Sequence, residues 1–77
     1  MAKYDPLRDF LRRRTTPITM TFDEVADLVG GLPRSAYDWP LWWRNDDPHV
    51  QAQAWGAAGF DAEVDLARRV VRFTPKH

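Results

Sequence analysis

Carboxylates and histidines are the side chains of this sequence that could perform acid–base or metal chemistry, and their spacing is poor for either. The two histidines are His49 and His77, and the chain has no cysteine. A zinc or thiol site needs further ligands of these types. The Asp46–Asp47 pair directly precedes Pro48, where aspartate commonly caps a helix. We therefore predict that the protein is not an enzyme, and we expect no metal and no cofactor.

A second group of carboxylates alternates with apolar residues near the end of the chain. Asp61, Glu63 and Asp65 recur at every second position, which places them on one face of a strand. Such a row could line a cation site. The alternation favours the simpler interpretation, a strand face in contact with water.

Basic residues are concentrated at the two ends of the chain. Residues 1–14 carry five basic and two acidic side chains, and residues 67–77 carry four basic and no acidic ones, although the net charge is zero. If the ends meet in the fold, they form a basic face suited to phosphate groups. Acidic Asp23, Glu24 and Asp27 on a neighbouring helix count against this interpretation, because they would repel a phosphate backbone.

A predicted helix over residues 48–58 presents one face without any charge. Its wheel places Val50, Ala54, Trp55, Ala57 and Ala58 inward, and it places His49, Ala52, Gln53 and Gly56 outward. Glutamine can pair bidentately with adenine, whereas Gln51 is interpreted as a satisfied structural amide. The predicted nucleic-acid-binding residues are His49, Gln53, Arg44, Asn45, Arg34, Arg68, Arg69 and Arg72.

Tryptophan is unusually frequent, with four residues in a 77-residue chain. A small domain without disulfides needs large buried rings, so a structural role is favoured for most of them. The adjacent Trp42 and Trp43 cannot both point in the same direction. One of them is expected to reach the surface, and the pair forms the predicted interaction surface for a protein partner.

Local signals define the elements that must position these residues. Asp5-Pro6 predicts the start of a helix, and residues 18–21 alternate as a short strand. Thr21 and Glu24 form a capping box at the start of a second helix, which ends at Gly30-Gly31. Residues 32–47 are expected to be irregular, with one or two helical turns around Trp42 and Trp43.

The last part of the chain predicts a β-hairpin. Apolar residues alternate from Phe60 to Leu66 and predict the first strand. Val71 and Phe73, after a turn at residues 67–69, predict the second. The order is helix, short strand, helix, irregular tryptophan-rich segment, helix and hairpin. We predict one α+β domain over residues 1–77 with a winged-helix-like fold, in which the helix before the hairpin enters the major groove.

Several short motifs of the chain resemble a known family. They are Tyr4-Asp5-Pro6-Leu7, Thr21-Phe22-Asp23-Glu24-Val25, Leu32-Pro33-Arg34-Ser35-Ala36, Trp42-Trp43-Arg44-Asn45, Gln53-Ala54-Trp55, Ala58-Gly59 and Val64-Asp65-Leu66. Together they resemble a family of small bacterial and phage-associated domains of unknown function. The resemblance implies a compact free-standing domain and transfers no activity. Arg69 stands where a glycine is usual in that family, which leaves the turn type open.

The functional prediction is a DNA-binding module that uses helix 48–58 and a basic hairpin wing on double-stranded DNA, in a regulatory or phage- or defence-related role. The alternative is a protein-interaction or homodimerisation module centred on Trp42 and Trp43. No apolar run approaches the ~18 residues of a membrane span, and no signal peptide is recognisable. We therefore expect a cytoplasmic protein without membrane contact.

Overall fold

The computed structural model describes residues 2–46 and 48–76. The helices are α1 (Asp5–Arg12), α2 (Phe22–Val29), α3 (Arg34–Asp38), a 3₁₀ helix (Pro40–Trp43) and α4 (Val50–Ala57), and the strands are β1 (Ile18–Thr21), β2 (Phe60–Asp65) and β3 (Val70–Pro75). None of the helices in these residues is long and apolar enough to cross a membrane. The predicted helix cap at Asp47 lies outside the described residues.

The three strands form one antiparallel sheet in the order β1-β3-β2. Phe73 lies in the middle strand, opposite Ile18 on one side and Ala62 on the other. The hairpin between β2 and β3 is confirmed, although Leu66 belongs to the turn and not to the strand. The α+β class is confirmed, and the element order is compatible with a winged-helix-like arrangement.

The sheet has an apolar inner face and a polar outer face. Side chains opposite each other in an antiparallel sheet point to the same side, so Phe73 and Val71 share the inner face with Met20 and Ala62. All four are buried in the core. The outer face carries the acidic side chains of β2, of which Glu63 and Asp65 are exposed.

The predicted capping box begins α2. The backbone N–H of Glu24 donates to Thr21 Oγ1 at 3.1 Å, and the backbone N–H of Thr21 donates to Glu24 Oε1 at 2.8 Å. The helix ends at Gly30 as predicted, and the φ of this residue, 77°, lies in the left-handed region. In α1 the N-cap position is held by Tyr4, while Asp5 is the first helical residue.

A column of aromatic rings crosses the core. Phe22 stacks on Trp43 with ring centroids 5.0 Å apart, and Trp43 stacks on Trp55 at 5.8 Å. Phe73 continues the column at 5.8 Å from Trp55. The column joins α2, the 3₁₀ helix, α4 and β3, so a few large rings supply the core that the small chain needs.

Helix α4 corrects two parts of the prediction. It begins at Val50, two residues later than expected. Ala52 was predicted to face outward but is buried, whereas Val50 is 60% exposed. The helix packs against both α1 and β2, and its inward face is therefore rotated toward Gln51 and Ala52. Since Ala52 is buried, it cannot belong to a binding face.

Candidate functional site

The segment between α2 and α4 is ordered by one buried ring. The indole N–H of Trp43 donates to the backbone oxygen of Ala36 at 2.8 Å, which fixes the 3₁₀ helix against α3. Trp43 is buried, so its assignment to the interaction surface is wrong. The adjacent Trp42 is half-buried and packs edge-on against Tyr4 with centroids 5.9 Å apart. The expectation that only one of the two rings reaches the surface is confirmed.

A cavity lies between the 3₁₀ helix and the start of α4. We call it the tryptophan groove, and it has a volume of about 480 Å³ and is lined by Ser35, Trp39, Leu41, Trp42, Arg44, His49 and Gln51. Trp39 and Leu41 are 66% and 69% exposed. The side-chain amide of the buried Gln51 donates to the backbone oxygen of Trp42 at 3.2 Å. The prediction that Gln51 is a structural amide is confirmed.

The short helix α3 connects the groove to the hairpin tip. Its residues are spaced by about 100°, so Ser35 and Tyr37 lie on either side of Arg34. Ser35 lines the groove. On the other side, the guanidinium of Arg69 lies 5.6 Å from the centroid of the Tyr37 ring. We call the area formed by Arg34, Tyr37, Asp38 and Arg69 the α3 surface.

The arginines around these two areas are only weakly engaged. Arg34 pairs with Asp38 at 3.4 Å, and Arg68 pairs with Asp65 at 3.8 Å. Exposed pairs of this kind contribute ~0–1 kcal/mol, so an incoming phosphate can replace the carboxylate. Arg44 is exposed and has no ion pair or hydrogen bond of its side chain within residues 2–46 and 48–76.

Five predicted nucleic-acid-binding residues are thus brought around α3. Arg44 and His49 line the groove, Arg34 and Arg69 lie on the α3 surface, and Arg68 adjoins Arg69 in the hairpin turn. Their role in binding stays a prediction.

The remaining predicted residues lie elsewhere. Gln53 lines a second cavity, between α4 and α1, and its amide donates to the backbone oxygen of Pro48 at 2.8 Å. Arg72 is exposed on the outer face of the sheet, where Glu63 lies directly opposite in β2. Neither residue contributes to the groove or to the α3 surface.

Asn45 is held by hydrogen bonds inside the protein, and its predicted contact with nucleic acid stays a prediction. Its Oδ1 accepts hydrogen bonds from the indole N–H of Trp55 at 2.9 Å and from the backbone N–H of Ala62 at 2.7 Å. Its Nδ2 donates to the backbone oxygen of Ala62 at 2.9 Å. These bonds use both acceptor positions of the amide and one of its two N–H donors.

Sequence reasoning missed Trp39 and Leu41 as surface residues. The available signal was the proline at position 40, which forces the preceding residue into an extended conformation. Trp39 has φ −121° and ψ 115° and ends α3. A large ring at such a break between two short helices has little neighbouring chain to cover it.

The titratable groups near the site include one buried tyrosine, Tyr4. No group of three or more potential metal-ligating side chains occurs in the described part of the chain. Burial raises the pKa of Tyr4 above its usual value of 10.0. The Tyr4 ring packs against Trp42, which lines the groove.

These features define a small α+β domain with an aromatic, arginine-bordered groove next to a three-stranded sheet. The chain belongs to the family described as Domain of unknown function (DUF7662), whose family model matches residues 4–76. This confirms the predicted relationship to a family of unknown function. Neither the curated proteins nor the solved structures contain a match to the chain.

Proposed function

We propose that the protein is a non-enzymatic DNA-binding module that contacts double-stranded DNA through the α3 surface and the hairpin tip. The observation that carries the proposal is the stacking of Arg69 on Tyr37. It brings Arg69 of the hairpin turn against Tyr37, which lies three residues after Arg34 on α3. Cations from two distant parts of the chain therefore border the same short helix. Rows of arginines are the usual phosphate contacts of such proteins.

The winged-helix-like order of elements supports the same function. The elements that we propose to contact DNA, however, differ from those expected from the sequence. The sequence predicted that helix 48–58 enters the major groove and that Gln53 contacts a base. Gln53 lies outside the groove, and α4 carries no charged residue. We therefore propose α3 and the hairpin turn, and not the body of α4, as the elements that meet the DNA backbone.

Acidic residues limit how the duplex can approach. Asp23 shares a small surface cavity with Arg68 and Arg69 at the start of α2. A duplex centred on that cavity would meet a carboxylate. We propose that the duplex approaches from the α3 side. There it would first contact Arg34 and Arg69, and the α3 surface as defined above contains one carboxylate, that of Asp38.

The test is duplex binding over a series of salt concentrations, measured by fluorescence anisotropy with a random-sequence duplex. The Arg34→Ala/Arg69→Ala double variant should bind every sequence more weakly, and the slope of log K against log salt should fall by about 0.9 for each lost phosphate contact. Arg12→Ala/Arg13→Ala is the matched control, because it removes two exposed arginines at the end of α1. Absence of salt-dependent duplex binding by the unaltered protein would refute the proposal.

A second candidate function is association with a protein partner or with a second copy of the chain. The exposed Trp39 and Leu41 favour it, because adjacent large apolar side chains at a surface mark interaction sites. This moves the predicted interaction surface from Trp42 and Trp43 to Trp39, Leu41 and Trp42. Light scattering over a range of concentrations tests it, and Leu41→Lys should convert a dimer to a monomer.

The biological setting belongs to the same proposal. A bacterial or phage-associated origin, a cytoplasmic location and a regulatory or defence-related role would each suit a small DNA-binding domain. The family description itself names no function.

A further inference from the structure

The tryptophan groove combines apolar walls with the exposed guanidinium of Arg44. Trp39, Leu41 and Trp42 supply the apolar walls, while Arg44 and His49 lie at its polar side. Among the residues that the structure describes, the Arg44 guanidinium has no carboxylate partner. A ligand for such a groove must offer an apolar planar part and an anionic part close together.

We propose that the groove binds one unstacked nucleotide of a single-stranded nucleic acid, with its base against Trp39 and its phosphate at Arg44. This inference rests on the proposed function and deepens it. Bases stack on exposed aromatic rings without regard to sequence, and arginines pair with the adjoining phosphates. The volume of about 480 Å³ gives room for a base and its sugar.

The backbone prepares Trp39 for this role. Pro40 restricts the residue before it to extended conformations, and Trp39 is held between α3 and the 3₁₀ helix, which Trp43 fixes in turn. An exposed ring on a constrained backbone loses less conformational freedom on binding than a ring on a flexible loop.

Charge favours a nucleotide over an apolar protein segment as the occupant. An apolar segment that covered the groove would take the Arg44 charge out of water without a partner, which is costly. Arg34, which pairs with Asp38 at an exposed position, and Arg69 lie further along the α3 surface. A strand leaving the groove would therefore meet further cations in the direction of the proposed duplex site.

The experiment measures binding of the full chain to an oligothymidine strand and, in parallel, to a random-sequence duplex. Trp39→Ala should weaken single-strand binding by roughly 5- to 150-fold, the range measured for loss of one base–aromatic stack. Duplex binding should be unchanged. Trp39→Phe keeps a ring and should retain most of the affinity. Arg44→Ala should weaken single-strand binding and lower its salt dependence.

Because Trp39 is largely exposed, its variants should fold normally, and circular dichroism melting curves check this. Oligothymidine should also quench the tryptophan fluorescence of the unaltered protein, and the quenching should be mostly lost in Trp39→Phe.

The possible outcomes separate this inference from the proposed function. If the protein binds the duplex, and if Trp39→Ala leaves its affinity for the single strand unchanged, the inference is overturned and the proposed function is not. Failure of the unaltered protein to bind either nucleic acid would overturn both. A Trp39→Ala substitution that turns a dimer into a monomer, with no change in single-strand affinity, would assign the groove to self-association and overturn the inference.

Discussion

The side-chain oxygen of Asn45 accepts a hydrogen bond from the indole N–H of Trp55 at 2.9 Å. The bond ties the segment before α4 to the central ring of that helix. Asn45→Ala would leave this N–H without a partner, together with the two backbone groups of Ala62. An unpaired buried group costs ~1–3 kcal/mol. Because these three bonds are only partly buried, we take the low end for each group and expect a loss of ~3 kcal/mol in the free energy of unfolding, measured with urea.

The matched control for Asn45→Ala is Gln53→Ala, which removes an exposed amide that makes one hydrogen bond. It should cost well under half as much. Equal losses in the two variants would show that the bonds of Asn45 do not stabilise the fold beyond those of an ordinary surface amide.

Removal of the α2 cap gives a second prediction. Thr21→Ala deletes the oxygen that accepts from the backbone N–H of Glu24, and it should lower the free energy of unfolding by ~0.5–2 kcal/mol. Thr16→Ala, at an exposed position in the loop before β1, should have little effect. Thermal melting of both variants checks this. If Thr21→Ala melts like the unaltered protein, the capping box does not stabilise the fold.

The backbone of Arg69 gives a third prediction. Its φ of 54° lies in the left-handed region, which costs a residue with a Cβ ~1–2 kcal/mol relative to glycine. Arg69→Gly and Arg69→Ala both lose the contact with Tyr37, so their difference reports on the backbone. The glycine variant should be the more stable by ~1 kcal/mol in chemical unfolding. A more stable alanine variant would contradict the assigned conformation.

The buried Tyr4 gives a prediction about alkaline pH. Its pKa is raised above 10.0 by desolvation, so the folded protein holds the phenolic proton more tightly than the unfolded chain does. This contribution is fully present below about pH 10 and is lost as the pH rises through the folded-state pKa. The difference in the free energy of unfolding between the unaltered protein and Tyr4→Phe should therefore stay constant up to about pH 10. Above that pH the unaltered protein should lose stability relative to Tyr4→Phe. A difference that stays constant at higher pH would refute the shift.

Local signals in the sequence were sufficient for most of the element order. A capping box, a glycine pair and an alternation of apolar and polar residues each act within a few residues. As predicted, Thr21 caps the start of α2, Gly30 ends it and Phe60 begins a strand. The turn at Arg69 has the left-handed backbone that explains why glycine suits that position. These effects need no knowledge of the rest of the fold.

The orientation of α4 could not be obtained in this way. Its sequence is alanine-rich and uncharged, so no polar stripe indicates which side meets water. Tertiary contacts decide instead. The bond from Gln51 to the backbone of Trp42 turns a polar residue inward, and Val50 is left exposed.

The candidate site was predicted in part. The arginines were recognisable by type, and five of the predicted residues do meet around α3. The partners of Asn45 are 10 and 17 residues away in sequence, and a spacing of that kind follows no helix or strand period. The exposure of Trp39 depends on how α3 and the 3₁₀ helix pack, which a single sequence does not encode locally.

The hydrogen bonds between Asn45 and Ala62 also bear on how the protein behaves at high concentration. Strand β2 forms one edge of the sheet, and an open edge can recruit a strand from another molecule and start aggregation. Backbone groups of alternate edge residues point away from the sheet, and Ala62 lies near the middle of β2. Asn45 occupies both of its groups. A single side chain thus stands where a foreign strand would have to pair, and the charged side chains of the same strand make that approach still less favourable.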